Sequence, residues 1–81
     1  MNEFIWIDWN LQKIDNHGLS SDEVEFAMRG ATLAEKNRVD GEMTFESVGR
    51  CPSGRRIKIV WKYNLDRDGE TKIFVITAYG R

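Results

Sequence analysis

The period of the hydrophobic pattern changes once along this chain, and that change restricts the fold more than any other feature. From Ile7 to about residue 31, apolar residues recur at helical spacing, and from Met43 onward they alternate with polar residues as in strands. A chain of 81 residues buries only about 60% of the surface that its unfolded form exposes, so both kinds of element must share one thin core. The pattern therefore predicts a single domain, residues 1–81, of the α+β class.

The first 18 residues predict a short strand and a short helix. The run "FIWI" at 4–7 has the β-branched and aromatic composition of a brief buried strand. Asp8 stands where an N-cap is expected, and the helix after it is predicted to run to His17. Gly18 then supplies the left-handed residue that commonly ends a helix. The predicted apolar face of this helix consists of Ile7, Leu11 and Ile14.

A second helix is predicted from the strongest local motif in the chain. Ser20 and Glu23 have the spacing of a capping box, and Leu19 and Val24 have the spacing of a hydrophobic staple. The apolar stripe of this helix ends near Gly30. Two short helices are therefore expected to follow one another with a tight corner between them.

The rest of the chain predicts a loop and three antiparallel strands. Residues 31–42 are polar and are predicted to be a loop that contains a turn at Asp40–Gly41. Alternation then predicts strands over 43–50, 55–64 and 71–79, with turn sequences between them. We expect two N-terminal helices on one face of a small antiparallel sheet, made of a three-stranded meander plus the short N-terminal strand.

The middle strand of this meander separates apolar residues from basic ones. Its core side is predicted to carry Ile57, Ile59, Trp61 and Tyr63. Its other side is predicted to carry Arg56, Lys58, Val60 and Lys62. The last strand is apolar on both faces and is expected inside the sheet, and Tyr79 near its end is expected to be partly exposed. The basic face is open to solvent or to a ligand.

The charge of the chain is unevenly distributed. The formal net charge is −1, but residues 1–41 carry four basic residues against eight acidic ones, and residues 42–81 carry eight against five. The segment 50–62 contains five basic residues and no acidic one. A local basic strip of this kind can bind phosphate groups even when the whole chain is slightly acidic. Its members are Arg50, Arg55, Arg56, Lys58 and Lys62.

Several kinds of site are excluded by composition and motif. One histidine and one cysteine provide neither a metal-ligand set nor an intramolecular disulfide, so we expect no metal and no cofactor. The chain has no nucleophile turn and no phosphate loop. The chemistry that is left is proton transfer and charge stabilisation by His, Lys, Arg and Tyr. Cleavage of RNA without a metal uses this set, because it needs a base, an acid and cations at the phosphate.

The N-terminal segment gives no sign of secretion. Glu3 and Asp8 lie where a signal peptide has basic and then apolar residues. No apolar run approaches the length of about 18 residues that a membrane span requires. A single cysteine fits a reducing compartment. We expect a soluble cytoplasmic protein with no membrane partner.

Two interpretations are open for each candidate feature. His17 before Gly18 is explained by helix capping as well as by catalysis, because a basic residue is favoured at a helix C-terminus. The basic strip is explained by a solvated strand face as well as by binding of phosphates. Trp61 and Tyr63 are expected in the core rather than at a base-stacking site, and Trp6 and Trp9 are expected in the core or at its margin.

Three segments together carry a family resemblance. "WNLQKIDNHGLSSDEVE", "VGRCPSGRRIKIVW" and "IFVITAYGR" follow one another in the order of the BrnT-type toxins of the RelE-like superfamily, which the chain resembles over most of its length. The matching positions are Lys13, His17–Gly18, Ser20 to Glu25, Gly49–Arg50, Gly54–Arg55 and Thr77–Ala78. Tyr79 stands where the family has an arginine.

The resemblance implies a RelE-like fold and a bacterial toxin that cleaves RNA without a metal and is neutralised by a cognate antitoxin, such as a ribbon-helix-helix protein. By position the resemblance implies His17 as a proton-transfer or phosphate-contacting residue, with Lys13 as its neighbour on the same helical face and Arg50 at the phosphate. Tyr79, which replaces the family arginine, is our own candidate for the second proton transfer, and Lys13 is our candidate for a further phosphate contact. Arg55 is implied as a second phosphate contact, and the basic strip adds Arg56, Lys58 and Lys62 as RNA-binding residues. The alternative is a non-catalytic module that binds a partner protein or RNA.

Overall fold

Two helices and a five-stranded mixed sheet make up the fold. A computed structural model describes residues 3–32, 35–39 and 41–81. The elements are β1 (Phe4–Ile5), α1 (Asp8–Asp15), α2 (Ser21–Arg29), β2 (Glu35–Val39), β3 (Glu42–Arg50), β4 (Arg56–Leu65) and β5 (Thr71–Gly80). The strand order is β1-β5-β4-β3-β2, with β1 parallel to β5 and every other pair antiparallel. The predicted α+β class and the meander are confirmed. The predicted N-terminal strand is present but covers only Phe4–Ile5 instead of 4–7, and its parallel pairing with β5 makes the sheet mixed instead of antiparallel.

The strand β2 corrects one prediction. Residues 31–42 were expected to be a loop, but Glu35–Val39 pairs with β3 at the edge of the sheet. Gly41 has a φ of +80°, which allows the tight turn between the two strands. The predicted turn residue Asp40 lies outside the described residues. The sequence of β2 shows no alternation because backbone hydrogen bonds, rather than a buried face, define this edge strand.

The end of α1 follows the prediction at Gly18. This residue has a φ of +72°, and its N–H donates to the carbonyl of Asp15 at 2.9 Å. The N–H of Leu19 donates to the carbonyl of Ile14 at 3.0 Å, and both side chains are buried in the core. These two bonds and the apolar contact pair form a Schellman motif. The helix itself ends at Asp15, and His17 lies in the turn that leads out of it.

The start of α2 is also as predicted. The hydroxyl of Ser20 accepts from the N–H of Glu23 at 3.3 Å, and the carboxylate of Glu23 accepts from the N–H of Ser20 at 3.1 Å. Leu19 and Val24 are both buried, as the hydrophobic staple requires. The capping box therefore sets where the chain leaves the corner and enters the second helix.

The core lies between α2, the inner end of α1 and one face of the sheet. Its buried members are Ile14, Leu19, Val24, Ala27, Cys51, Ile57, Ile59, Trp61, Ile73, Val75 and Ala78. At Gly49 the backbone of α2 lies directly on β3, because a Cβ placed there would be 2.1 Å from the carbonyl oxygen of Ala27. The close approach of helix and strand thus requires glycine at this position.

The apolar face predicted for α1 is only partly correct. Ile14 is buried, whereas Ile7 and Leu11 are exposed. The residue that takes their place is Asn10, which is completely buried. The predicted cap is also displaced by one residue, because Asp8 is already the first residue of the helix.

Asn10 joins three backbone segments through its side-chain amide. Its Oδ1 accepts from the N–H of Ile7 at 2.7 Å. Its Nδ2 donates to the carbonyl of Ile5 at 2.9 Å and to the carbonyl of Val75 at 3.1 Å. β1 pairs with β5 over only two residues, so the amide continues the sheet contacts where β1 ends and α1 begins.

The prediction that Tyr63 is a core residue is wrong. Trp61 is buried, but Tyr63 is 51% exposed and Leu65 is exposed further along the same strand. Both side chains point to the core side of the sheet by alternation, yet they lie past the part that the helices cover. Tyr63 packs against Trp61 and Phe45 at the margin of the core instead.

Replacing Asn10 with Leu should lower the free energy of unfolding by about 2–4 kcal/mol, because three backbone groups lose their partner while the branched shape of the side chain is kept. The measurement is equilibrium unfolding in urea. Asn16→Leu is the matched control, because Asn16 is exposed and its side chain accepts a hydrogen bond from that of Gln12 at 3.1 Å. Equal stability of the two variants would contradict the role given to Asn10.

The turn between β4 and β5 should make stability depend on pH. The hydrogen bond from Lys72 lowers the pKa of Asp66, with a further contribution from the N–H of Arg67. The same bond raises the pKa of Lys72. The carboxylate of Asp66 therefore stabilises the fold above its unfolded pKa of about 4, and this contribution is lost as the pH falls through the lower folded pKa.

We expect Asp66→Asn to be less stable than the unsubstituted chain at pH 7, and we expect this difference to shrink as the pH falls below about 4. Urea unfolding at a series of pH values measures it. A difference that stays constant across this range would show that the ionisation of Asp66 does not contribute.

Candidate functional site

The predicted basic residues of β4 lie on the face of the sheet opposite the core, which is called the outer face. Directly opposite residues of an antiparallel pair point to the same side. Arg50 is paired with Arg56, and Lys58 is paired with Tyr79. Arg56 and Lys58 alternate with the buried Ile57, so the two pairs share the outer face. The basic face predicted from sequence is confirmed.

An open groove of about 1080 Å³ runs between this end of the outer face and the C-terminal end of α2. The basic groove, as it is called here, is lined by Phe26, Arg29, Gly30, Thr32, Glu35, Glu46, Val48, Gly49, Arg50, Arg56, Lys58 and Arg81. Lys58 forms an ion pair with Glu46 at 3.6 Å. Within the described ranges, no acidic side chain forms an ion pair with Arg50, Arg56 or Arg81.

Two cations of the basic groove were not predicted. Arg81 joins it because its N–H donates to the carbonyl of Arg56 at 3.0 Å, which extends the β4–β5 pairing beyond Gly80. Alternation from Tyr79 could have indicated this position for Arg81. Arg29 reaches the groove from α2 and forms an ion pair with Glu25 at 3.5 Å. No local sequence pattern indicates that the end of this helix lies near the sheet.

His17 and Tyr79 are brought together at the border of the outer face. Their ring centroids are 5.9 Å apart and the rings are tilted by 52°. His17 is exposed and Tyr79 is half-buried, as predicted for the tyrosine. Because Lys58 is directly across from Tyr79, the imidazole, the phenol and a cation lie side by side on one surface. Lys58 also lines the basic groove, so it connects the groove to the contact between His17 and Tyr79.

Arg55 and Arg56 have different surroundings although they are adjacent in sequence. Arg55 Nη2 donates to the carbonyl of His17 at 3.2 Å. Its guanidinium also lies over Gly80, where a Cβ would come within 2.8 Å of Nη2. Arg55 thus holds the corner between the helices against the end of the sheet. A guanidinium has five N–H donors, so the bond to the carbonyl of His17 leaves others that could bind a phosphate. The predicted phosphate contact of Arg55 stays a prediction.

Lys13 and Lys62 lie toward the other end of the outer face. The ammonium of Lys13 is 5.3 Å from the ring centroid of Trp9, and that of Lys62 is 5.7 Å from the ring centroid of Phe74. Lys62 also forms an ion pair with Glu42 at 3.1 Å. The described contact of Lys13 is therefore to Trp9, which precedes it by one helical turn, whereas His17 lies beyond the end of α1.

Cys51 belongs to the core and not to the outer face. It is buried, and burial raises the pKa of its thiol, with a smaller effect of the same sign from Glu23. A thiol with a raised pKa is a poor nucleophile at neutral pH. In the described part of the chain, no three His, Cys, Asp or Glu residues are grouped so that they could hold a metal ion.

No family model, curated protein or solved structure gives a significant match to the chain. None of the helices among the described residues is long and apolar enough to cross a membrane. The chemistry of the outer face is therefore the basis on which a function is proposed.

Replacing Arg55 with Met should lower the free energy of unfolding by about 1 kcal/mol, because the hydrogen bond to the carbonyl of His17 is lost at an exposed site. Arg56→Met removes the same charge one residue away and should change stability by less than about 0.5 kcal/mol. Urea unfolding of the two variants measures the difference. If both variants were equally stable, the link between Arg55 and the helix corner would have no structural importance.

Proposed function

We propose that the chain is a metal-independent endoribonuclease of the RelE-like type that binds single-stranded RNA on its outer face. One observation carries the proposal: Tyr79, which contacts His17, is paired with Lys58, and Lys58 lines a groove that also contains Arg50, Arg56 and Arg81. These are the residue types that RNA cleavage without a metal requires.

The basic groove supplies the binding of phosphate. Guanidinium groups match phosphate oxygens with two parallel hydrogen bonds, and Arg50 and Arg56 are directly opposite each other across β3 and β4. Arg81 follows at the end of β5. Lys58 lies between this row and Tyr79, and its ion pair with Glu46 is partly exposed and can exchange for a phosphate at little cost.

His17 and Tyr79 supply the proton transfers. The imidazole takes the proton of the ribose 2′-hydroxyl, and the 2′-oxygen forms a bond to phosphorus while the bond from phosphorus to the 5′-oxygen breaks. The phenol of Tyr79 donates a proton to the leaving 5′-oxygen. Lys58 and Arg56 stabilise the additional negative charge on the phosphate oxygens in the transition state. The products are a 2′,3′-cyclic phosphate and a free 5′-hydroxyl.

The element order supports the same proposal. A short strand, two helices and an antiparallel meander follow one another as the resemblance to RelE-like toxins implies, with β2 as an additional edge strand before the meander. On this basis we propose a cytoplasmic protein that is neutralised by a cognate antitoxin. The alternative is a module that binds RNA or a partner protein without cleaving, and this would retain binding by the basic groove with no product.

Purified protein should cleave unstructured RNA in the presence of a chelator and should leave 2′,3′-cyclic phosphate ends. His17→Ala should lower the cleavage rate by about 10²–10⁴-fold because the base is lost. Arg56→Ala should lower it by about 10²–10³-fold because a cation at the phosphate is lost. Gel analysis of an end-labelled oligonucleotide measures both rates.

Arg67→Ala is the matched control for charge, because Arg67 lies in the turn at the far end of the sheet. This variant should cleave RNA at the rate of the unsubstituted chain. A substrate with 2′-deoxyribose at the cleaved position should resist cleavage. Full activity of His17→Ala would remove the proposed mechanism. Binding of RNA with no cleavage by any form would favour the non-catalytic module.

A further inference from the structure

Trp9 lies on the outer face in a row of aromatic and basic side chains. Its ring is stacked on that of Phe74, with the centroids 6.0 Å apart and the planes 20° apart. Lys13 lies over Trp9 and Lys62 lies over Phe74. Phe74 is directly opposite Lys62 in the β4–β5 pairing, which places it on the outer face. This group of four residues, called the tryptophan row, is separate from the contact between His17 and Tyr79.

The exposure of Trp9 is unlike that of the other two tryptophans. Trp61 is buried and donates to the hydroxyl of Ser47 at 3.0 Å, and Trp6 is half-buried and donates to the carboxylate of Glu25 at 2.7 Å. Trp9 is 48% exposed on the first turn of α1. An exposed indole with cations beside it is the arrangement that binds bases and phosphates together.

The tryptophan row continues the basic groove along one surface. Trp9 and Lys13 lie one turn apart on the same side of α1, and His17 lies in the turn that follows this helix. On β4, Lys58 and Lys62 are four residues apart on the outer face and span about 13 Å. A strand whose nucleotides advance by about 3.4 Å or more covers this length with a few nucleotides.

We propose that the tryptophan row is a second subsite for single-stranded RNA, in which Trp9 stacks on a base and Lys13 and Lys62 bind the adjacent phosphates. This rests on the proposed function, because it extends the same RNA strand from the basic groove. Stacking requires an exposed base face, which a duplex does not offer. The ion pair of Lys62 with Glu42 is partly exposed, so a phosphate can replace the carboxylate at little cost.

A purely structural role for Trp9 is the competing explanation, in which the indole only covers Phe74. Such a role would change stability but not the affinity for RNA. The experiment therefore measures binding of a fluorescent oligouridylate of about eight nucleotides with 2′-O-methyl groups, which cannot be cleaved at a 2′-hydroxyl. Urea unfolding of each variant is measured beside it.

Trp9→Leu should weaken binding of this probe by about tenfold, and Trp9→Phe should retain most of the affinity because a stacking ring is kept. Tyr63→Leu is the matched control, because Tyr63 is 51% exposed on the opposite face of the sheet. It should bind like the unsubstituted chain. The dependence of binding on salt should be the same for Trp9→Leu and the unsubstituted chain, since no charge is removed.

The outcomes separate this inference from the proposed function. If the unsubstituted chain binds the probe and Trp9→Leu binds equally well, the subsite is wrong and the proposed function stands. If Trp9→Leu and Tyr63→Leu weaken binding equally, stacking at Trp9 is likewise overturned. If the unsubstituted chain does not bind the probe, both proposals fail.

Discussion

The buried amide of Asn10 is the contact on which the arrangement of the other elements depends. It satisfies backbone groups of Ile5, Ile7 and Val75 at the point where β1 stops after two residues and α1 begins. Without it, the edge of β5 beyond β1 would have an unsatisfied carbonyl inside the protein, at a cost of about 1–3 kcal/mol. Because the amide fixes α1 against β5, one side of this helix reaches the core and the other reaches the outer face.

The position of His17 follows from that placement and from backbone interactions. The Schellman motif at Gly18 fixes the turn, and the carbonyl of His17 accepts from Arg55. Helix capping and a chemical role therefore use different atoms of the same residue. The backbone of His17 is committed to the corner, while its imidazole stays exposed beside Tyr79. The two interpretations of the histidine that the sequence left open are compatible.

The charges of the outer face are arranged unequally. Lys58 and Lys62 each have a glutamate partner on β3, whereas in the described part of the chain Arg50 and Arg56 have no carboxylate within ion-pair distance. The lysines with glutamate partners form a surface whose charges are balanced. The unpaired guanidinium groups lie close together and repel one another, so they favour binding of an anion between them. The small negative net charge of the chain thus coexists with a strongly cationic groove.

The interactions that the sequence determined by itself are local ones, because they join residues that are close along the chain. The capping box at Ser20, the left-handed Gly18 and the alternation of β4 all involve spacings of five residues or fewer. Tertiary structure alone decided the features that join distant segments. It buries the polar Asn10 against β5, bonds Arg55 to the carbonyl of His17 and stacks Trp9 on Phe74. Periodicity cannot predict these contacts. It indicates which residues lie on the same face of a helix or strand, but it does not indicate which other element packs against that face.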